Sequence, residues 1–259
     1  MEKKTIDDCR RKDIGDMKVF TTINPYGNFD AQKEAMISWS SKYELYSVNS
    51  ASEIEIAKEL YPEVSFIETS NTYQIGEKTL VKLDGILDAI KSTRATKCAI
   101  VNSDIILSRK INIDKKCEGS LVIATRWELG DVPSYPFESG YDLFIFDVRN
   151  IEIFYNKNYV IGMPWWDFWI PIIANKAMIP VYHIKNNLIR HRTHKTNYEH
   201  STWQKFADYF YNDIKRLGGN WKIDEDYTKD TDSYIIEDSI FGTAIKKFIV
   251  STQINIKSK

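Results

Sequence analysis

The chain has 259 residues, 43% of them hydrophobic, which is enough to bury one large core. Its 35 Lys and Arg residues offset 36 Asp and Glu, so it lacks the positive field by which a protein gathers nucleic acid or an anionic membrane. Three cysteines, Cys9, Cys98 and Cys117, with no CxxC pair, exclude a disulfide framework and a cysteine-based zinc site.

Residues 1–16 are polar and charged and read as a loose arm without the apolar stretch of a signal peptide. No run reaches the roughly 18 apolar residues of a membrane span, so the expected setting is the cytoplasm. Residues 18–23 predict a strand, closed by the turn signal Asn24-Pro25-Tyr26-Gly27-Asn28. Ala31, Ala35, Met36 and Trp39 recur at helical spacing. Residues 43–49 alternate as a second strand. Residues 53–60 predict a short helix capped by Ser52, and 64–67 a third strand. Residues 79–91 predict an amphipathic helix with Leu80, Leu83, Leu87 and Ile90 facing inward.

The run from Lys97 is almost continuously apolar until Asn102, the mark of a strand covered on both faces. Residues 121–125 and 143–147 predict two more strands. Strands alternating with helices imply βαβ units on a mainly parallel sheet. Residues 201–217 predict an aromatic-rich helix, 222–238 an acidic irregular stretch, and 239–250 a last amphipathic helix. That last segment, with Lys246 and Lys247, offers at most weak contact with a membrane surface.

Three groups of residues carry chemistry. Asn102-Ser103-Asp104 ends the apolar strand, and ligands of open α/β sheets bind beyond the carboxyl ends of strands. A carboxylate there is costly unless it meets a cation or hydrogen-bond donors. Asp104 is thus a candidate ligand for a divalent metal, with Asn102 on the same face. Alone, the triplet reads as an ordinary strand-to-loop turn.

The second group, Ile161-Gly162-Met163-Pro164-Trp165-Trp166-Asp167-Phe168-Trp169, concentrates indoles around one acid. Trp165 and Trp166 are candidate platforms for a sugar acceptor. Asp167, desolvated, is a candidate general base. The same residues equally form a helix start, with Asp167 in its first turn and the indoles buried below. The third group, Ile189-Arg190-His191-Arg192-Thr193-His194, offers imidazoles for a metal and Arg190 and Arg192 for a departing diphosphate. By itself it reads as a solvated basic loop. Arg126 and Trp127, after a strand, border either the pocket or a plain loop.

In order and spacing these motifs resemble the nucleotide-diphospho-sugar transferase superfamily with the GT-A fold. The residues that carry the resemblance are Thr21-Thr22-Ile23-Asn24, Ala35-Met36-Ile37-Ser38-Trp39, Asn102-Ser103-Asp104, Gly140-Tyr141-Asp142-Leu143-Phe144-Ile145-Phe146, the tryptophan motif and His191-Arg192-Thr193-His194. The resemblance implies a GT-A-like α/β domain over 17–200, with a C-terminal helical extension over 201–259 packed on it. It implies donor contacts from Thr21, Thr22, Asn24, Asn102, Asp104 and Asp142. It implies Mn²⁺ or Mg²⁺ held by Asp104 and by His191 or His194, with His191 preferred. It implies an acceptor side at Asp167, Trp165 and Trp166. Asn102 stands where the family has its first Asp, and Lys195 where it has an acid.

The function so implied is transfer of a sugar from a nucleoside diphosphate sugar to a glycan or other hydroxyl acceptor, with no nucleic-acid partner. One rival is a non-catalytic nucleotide- or sugar-binding module. A second is a sugar-phosphate nucleotidyltransferase, disfavoured because Asn24-Pro25-Tyr26-Gly27-Asn28 has one glycine and no basic residue.

Overall fold

The computed structural model describes residues 17–112, 118–130, 134–137, 140–184, 186–194, 200–217 and 254–255. The arm over 1–16, the acidic stretch over 222–238 and the helix expected over 239–250 lie outside the described residues.

The chain opens β1 (Met17–Thr21), α1 (Phe29–Ser40), β2 (Glu44–Asn49), α2 (Ala51–Leu60) and β3 (Ser65–Glu68). A hairpin of β4 (Thr72–Ile75) and β5 (Lys78–Val81) precedes α3 (Leu83–Ser92). Then come β6 (Lys97–Val101), β7 (Ile105–Leu107), β8 (Leu121–Ala124), β9 (Trp127–Leu129), β10 (Tyr135–Pro136) and β11 (Leu143–Asp147). A 3-10 segment (Val148–Phe154) leads on to α4 (Trp166–Lys176), β12 (Val181–Ile184), β13 (Ile189–Arg192), α5 (His200–Arg216) and β14 (Ile254–Asn255).

Eight described strands form the main sheet in the order β14-β12-β8-β11-β6-β1-β2-β3. All pair in parallel except β11, which runs antiparallel to both β6 and β8. The mainly parallel α/β sheet expected from the sequence is therefore what forms, with one reversed strand at its centre.

Alternate residues of each central strand enter opposite cores, because strand side chains alternate between faces. Phe20, Ile100, Ile123, Phe144 and Phe146 join the core under α3, α4 and α5. Val19, Val101, Val122, Leu143 and Ile145 join the core under α1 and α2. Neither face is left wet, which explains the unbroken apolar run at Cys98-Ala99-Ile100-Val101.

Two local expectations are corrected. The helix expected from Thr79 begins at Leu83, since Thr79, Leu80 and Val81 pair with Gln74, Tyr73 and Thr72 respectively across a turn at Gly76. Gly76 has φ of 56°, a backbone state that favours glycine, and β-branched Thr79 and Val81 suit a strand. The cap of α2 is Ser50, not Ser52. The Glu53 carboxylate accepts hydrogen bonds from the Ser50 amide (3.3 Å) and hydroxyl (3.1 Å).

Strand order reverses between β1 and β6: the chain runs outward from β1 to β3, then returns to β6 on β1's other side. In sheets of this kind the ligand crevice lies at such a switch point, here the carboxyl ends of β1 and β6. Because β11 is reversed, its start lies at the same edge. Leu143 pairs with Val101, so Asp142 stands beside Asn102.

A second described sheet, β10-β9-β13-β7, caps this edge. Two side chains of the Ala35–Trp39 motif hold it. The Trp39 indole donates to the Ile105 carbonyl at 2.7 Å, and the Ser38 hydroxyl accepts from the Leu107 amide at 2.9 Å. Helix α1 thereby fixes the loop that carries Asp104.

Candidate metal centre

Strand β13 pairs with β7 so that His191 lies opposite Ile105, one residue past Asp104. This register brings together side chains far apart in sequence. Asp104 Oδ2 lies 3.0 Å from His194 Nε2 and 3.4 Å from His191 Nε2. One ligand atom from each of the three falls within 4.8 Å of the others. Burial would raise the Asp104 carboxyl, but the hydrogen bonds from His191 and His194 outweigh it and hold the group well below the usual carboxylate range.

The donor chemistry fits a divalent cation. A carboxylate and two imidazoles converge, and the His191 Nδ1 side is already engaged 2.8 Å from Glu128 Oε2, leaving Nε2 toward Asp104. Two imidazoles beside one carboxylate suit a transition-metal dication better than Mg²⁺, which prefers oxygen ligands.

A partly buried polar chain extends from this centre. Glu128 Oε1 accepts from Arg126 Nε at 2.7 Å, and Arg126 Nη1 donates to Asp142 Oδ1 at 2.9 Å. Asn102 Nδ2 donates to the same Asp142 oxygen at 3.0 Å. The Arg126 guanidinium lies over the Phe137 ring, 3.9 Å from its centroid. Burial raises the Asp142 carboxyl despite Arg126. Its second oxygen is buried without a partner among the described residues, as is the Thr21 hydroxyl at the end of β1. Orphaned buried oxygens are uncommon in folded proteins, and here both sit at the crevice edge.

Asp167 stands in the first turn of α4, with part of its surface open. Gly140 and Tyr141 wrap its carboxylate, and the Tyr141 amide points to Oδ2 at 3.3 Å. Burial, joined by the charge of Asp142, raises its pKa to about 7 against opposing bonds from backbone amides. Asp142 also feels the charge of Asp104. Asp142 thus links the environment of Asp167 to that of the His–Asp cluster.

Not every expected residue converges. Trp165 and Trp166 are core side chains, each 2% exposed. Trp165 stacks on Phe210 at 5.1 Å and meets Trp203 edge-on, while Trp166 packs on Phe144. They fill the space between α4, α5 and the sheet, so the expectation of indole platforms for an acceptor is corrected. Arg190 and Arg192 flank His191 on a strand and so point to its opposite face. Arg192 is engaged by Glu34 on the exposed side of α1 at 2.6 and 3.1 Å. The ion pair with Glu34 turns Arg192 away from the expected role of meeting a departing diphosphate. Thr22 is half-buried and Asn24 exposed in the loop after β1. Lys195 lies outside the described residues.

Two residues essential to this arrangement had weak sequence signals. Glu128 is one acid in an unremarkable strand; its spacing of two from Arg126 puts both on one face, a cue visible only once the strand is known. Gln32 is buried, accepting from the Asn24 amide (2.8 Å) and the Ser103 hydroxyl (2.9 Å) and donating to the Asn24 and Gly27 carbonyls. It ties the loop after β1 to the Asp104 loop.

No protein-family model matches the sequence, and a comparison with curated proteins returns no match. Among solved structures, the chain is similar to S. aureus TarS 1-349 in complex with UDP-GlcNAc, at TM-score 0.45 and 11% identity over 78% of this chain. It spans 64% of that TarS chain. The TarS complex with UDP aligns at TM-score 0.43 and 9% identity, over 92% of this chain and 83% of the other. The inositol-1-phosphate CTP transferase from T. maritima aligns at TM-score 0.44 and 10% identity, over 74% of this chain and 95% of the other. At this level of similarity the neighbours decide nothing about activity. Among the described residues, no helix is long and apolar enough to cross a membrane.

Proposed function

We propose that this protein is a metal-dependent glycosyltransferase that moves a sugar from a nucleoside diphosphate sugar to an acceptor hydroxyl. The observation that carries the reading is the convergence of Asp104, His191 and His194 beside the switch-point crevice. Asp104, His191 and His194 would hold Mn²⁺, which when bound stabilises the charge developing on the leaving diphosphate. The orphaned oxygens of Asp142 and Thr21 are acceptors awaiting donor hydroxyls or amides. Asn102 and Arg126 fix Asp142 in place for that contact.

In the inverting form of the reaction, Asp167 takes the proton of the acceptor hydroxyl. That oxygen bonds the anomeric carbon, and the bond from the carbon to the diphosphate breaks with its electron pair leaving on the nucleoside diphosphate. A base with a pKa of about 7 is matched to this task near neutral pH. Gly140 and Tyr141 orient the carboxylate, and the buried indoles below it exclude water from that side.

Calorimetry with UDP-sugars and GDP-sugars, with and without Mn²⁺, tests the reading. Metal-dependent binding followed by slow donor hydrolysis is expected. Binding indifferent to Mn²⁺ would overturn it and favour a non-catalytic module. Coupling of a nucleoside triphosphate to a sugar phosphate would mark a nucleotidyltransferase instead.

A further inference from the structure

We propose that Glu128, clamped by Arg126, is a positioning residue that selects the ring tautomer of His191, so that Nε2 is the nitrogen left to bind a cation. The inference rests on the metal reading above and deepens it. Glu128 is 4% exposed and spends both oxygens. Oε1 is held by Arg126 Nε at 2.7 Å, so the carboxylate cannot rotate without stranding a half-buried guanidinium N–H. Oε2 is thereby aimed at His191 Nδ1, 2.8 Å away. A carboxylate only accepts, so Nδ1 must carry the proton. Nε2 also faces a carboxylate oxygen, Asp104 Oδ2, but at 3.4 Å, so the charged ring donates to both acceptors while the neutral ring keeps its proton at the closer Nδ1 and frees the Nε2 lone pair for a cation between it and Asp104. Arg126 is itself pinned by Asp142 at 2.9 Å, so Asp142 helps set the orientation of a group two bonds further along the chain of contacts.

The clamp makes an isosteric substitution informative. In Glu128→Gln, Arg126 Nε still demands an acceptor and takes the amide oxygen. The amide NH₂ then faces Nδ1 and needs a lone pair there, which moves the ring proton to Nε2. The imidazole would stay in place, with the wrong nitrogen protonated for a cation between it and Asp104.

The test reads tautomer and metal affinity separately. Long-range ¹H–¹⁵N correlation spectra of the metal-free protein, at a pH where His191 is neutral, report which nitrogen bears hydrogen. Titration with Mn²⁺ alone, followed by electron paramagnetic resonance, reports affinity. The wild type is expected to show the Nδ1–H form, and Glu128→Gln the Nε2–H form with Mn²⁺ affinity reduced ~10–100-fold. Thr193→Val, which removes the other side-chain donor to Glu128 Oε2 (3.2 Å), should change neither reading. An Nε2–H wild-type ring overturns the proposal without any variant, so the test survives even if Glu128→Gln fails to fold. A variant with an unchanged tautomer, or a switched tautomer with unchanged affinity, also overturns it. A wild type that binds no Mn²⁺ but shows the Nδ1–H ring and its switch defeats the metal reading and leaves the tautomer selection standing.

Discussion

Gly140 stands so close to Asp167 that a Cβ placed on it would come within 2.8 Å of Oδ2. The missing side chain is thus part of how the carboxylate is seated. Gly140→Ala should push the carboxylate out of its seat while leaving the Asp104 cluster in place. We expect kcat to fall ~100-fold, the scale of a displacement of about 1 Å in a reacting group. Binding of Mn²⁺ and nucleoside diphosphate by calorimetry should stay within twofold. A large loss of nucleotide affinity would mean that Gly140 serves the fold or the donor pocket instead.

Asp167 should write its titration into the rate. A base is active when deprotonated, so kcat/KM should rise with pH through about 7 and level off above. Asp142→Asn removes the neighbouring charge that helps raise Asp167, so the profile should move to lower pH. Asp167→Asn should abolish both the rate and its pH dependence. The same group marks stability: its folded-state value exceeds the ordinary 3.8, so the native state holds the proton more tightly. Its contribution is present at acid pH and declines between about 4 and about 7. Thermal melts of wild type and Asp167→Asn across that window should converge toward the acid end.

The two histidines of the cluster should separate fold from binding. His194 is exposed, so His194→Ala should weaken Mn²⁺ binding with little change in melting temperature. His191 is 6% exposed and bonds to Glu128, so His191→Ala should lower both. Asp104→Ala should abolish metal-dependent nucleotide binding in a protein that still melts cooperatively. Retained binding there would count against the assignment.

Trp165 should behave as core. Trp165→Ala is expected to destabilise the protein by about 3–5 kcal/mol in denaturant unfolding, the usual cost of deleting a buried aromatic. Trp165→Phe should recover most of that, with KM for the acceptor unchanged. A raised KM without a stability loss would restore the sugar-platform reading.

Much of the architecture was legible in the sequence because strand burial leaves a direct trace. The apolar run at 98–101 is a strand covered on both faces, and Asn102 marks where the cover ends. The motif at 35–39 was visible, but its work was not: Ser38 and Trp39 brace the Asp104 loop through bonds spanning the chain. The sequence leaves Trp165 and Trp166 open between a sugar platform and a buried helix start, because a row of indoles looks alike whether it faces a sugar or a neighbouring helix. Only the third dimension, with Phe210 and Phe144 against them, tells the two apart. Asp104 and His194 lie ninety positions apart and meet through the register of β13 on β7, which no local pattern encodes. Glu128 escaped notice because its importance comes from what Arg126 does to it.

The reversed direction of β11 divides the chain into stretches that can and cannot reshape the pocket. In a wholly parallel sheet only the segments leaving each strand border the ligand edge. Here the segment entering β11 does so too, carrying Gly140, Tyr141 and Asp142. On the glycosyltransferase reading, insertions immediately before Gly140 would therefore be free to alter which sugars or acceptors fit. Insertions in the 3-10 segment after β11 would emerge at the opposite edge of the sheet, away from Asp142 and Asp104.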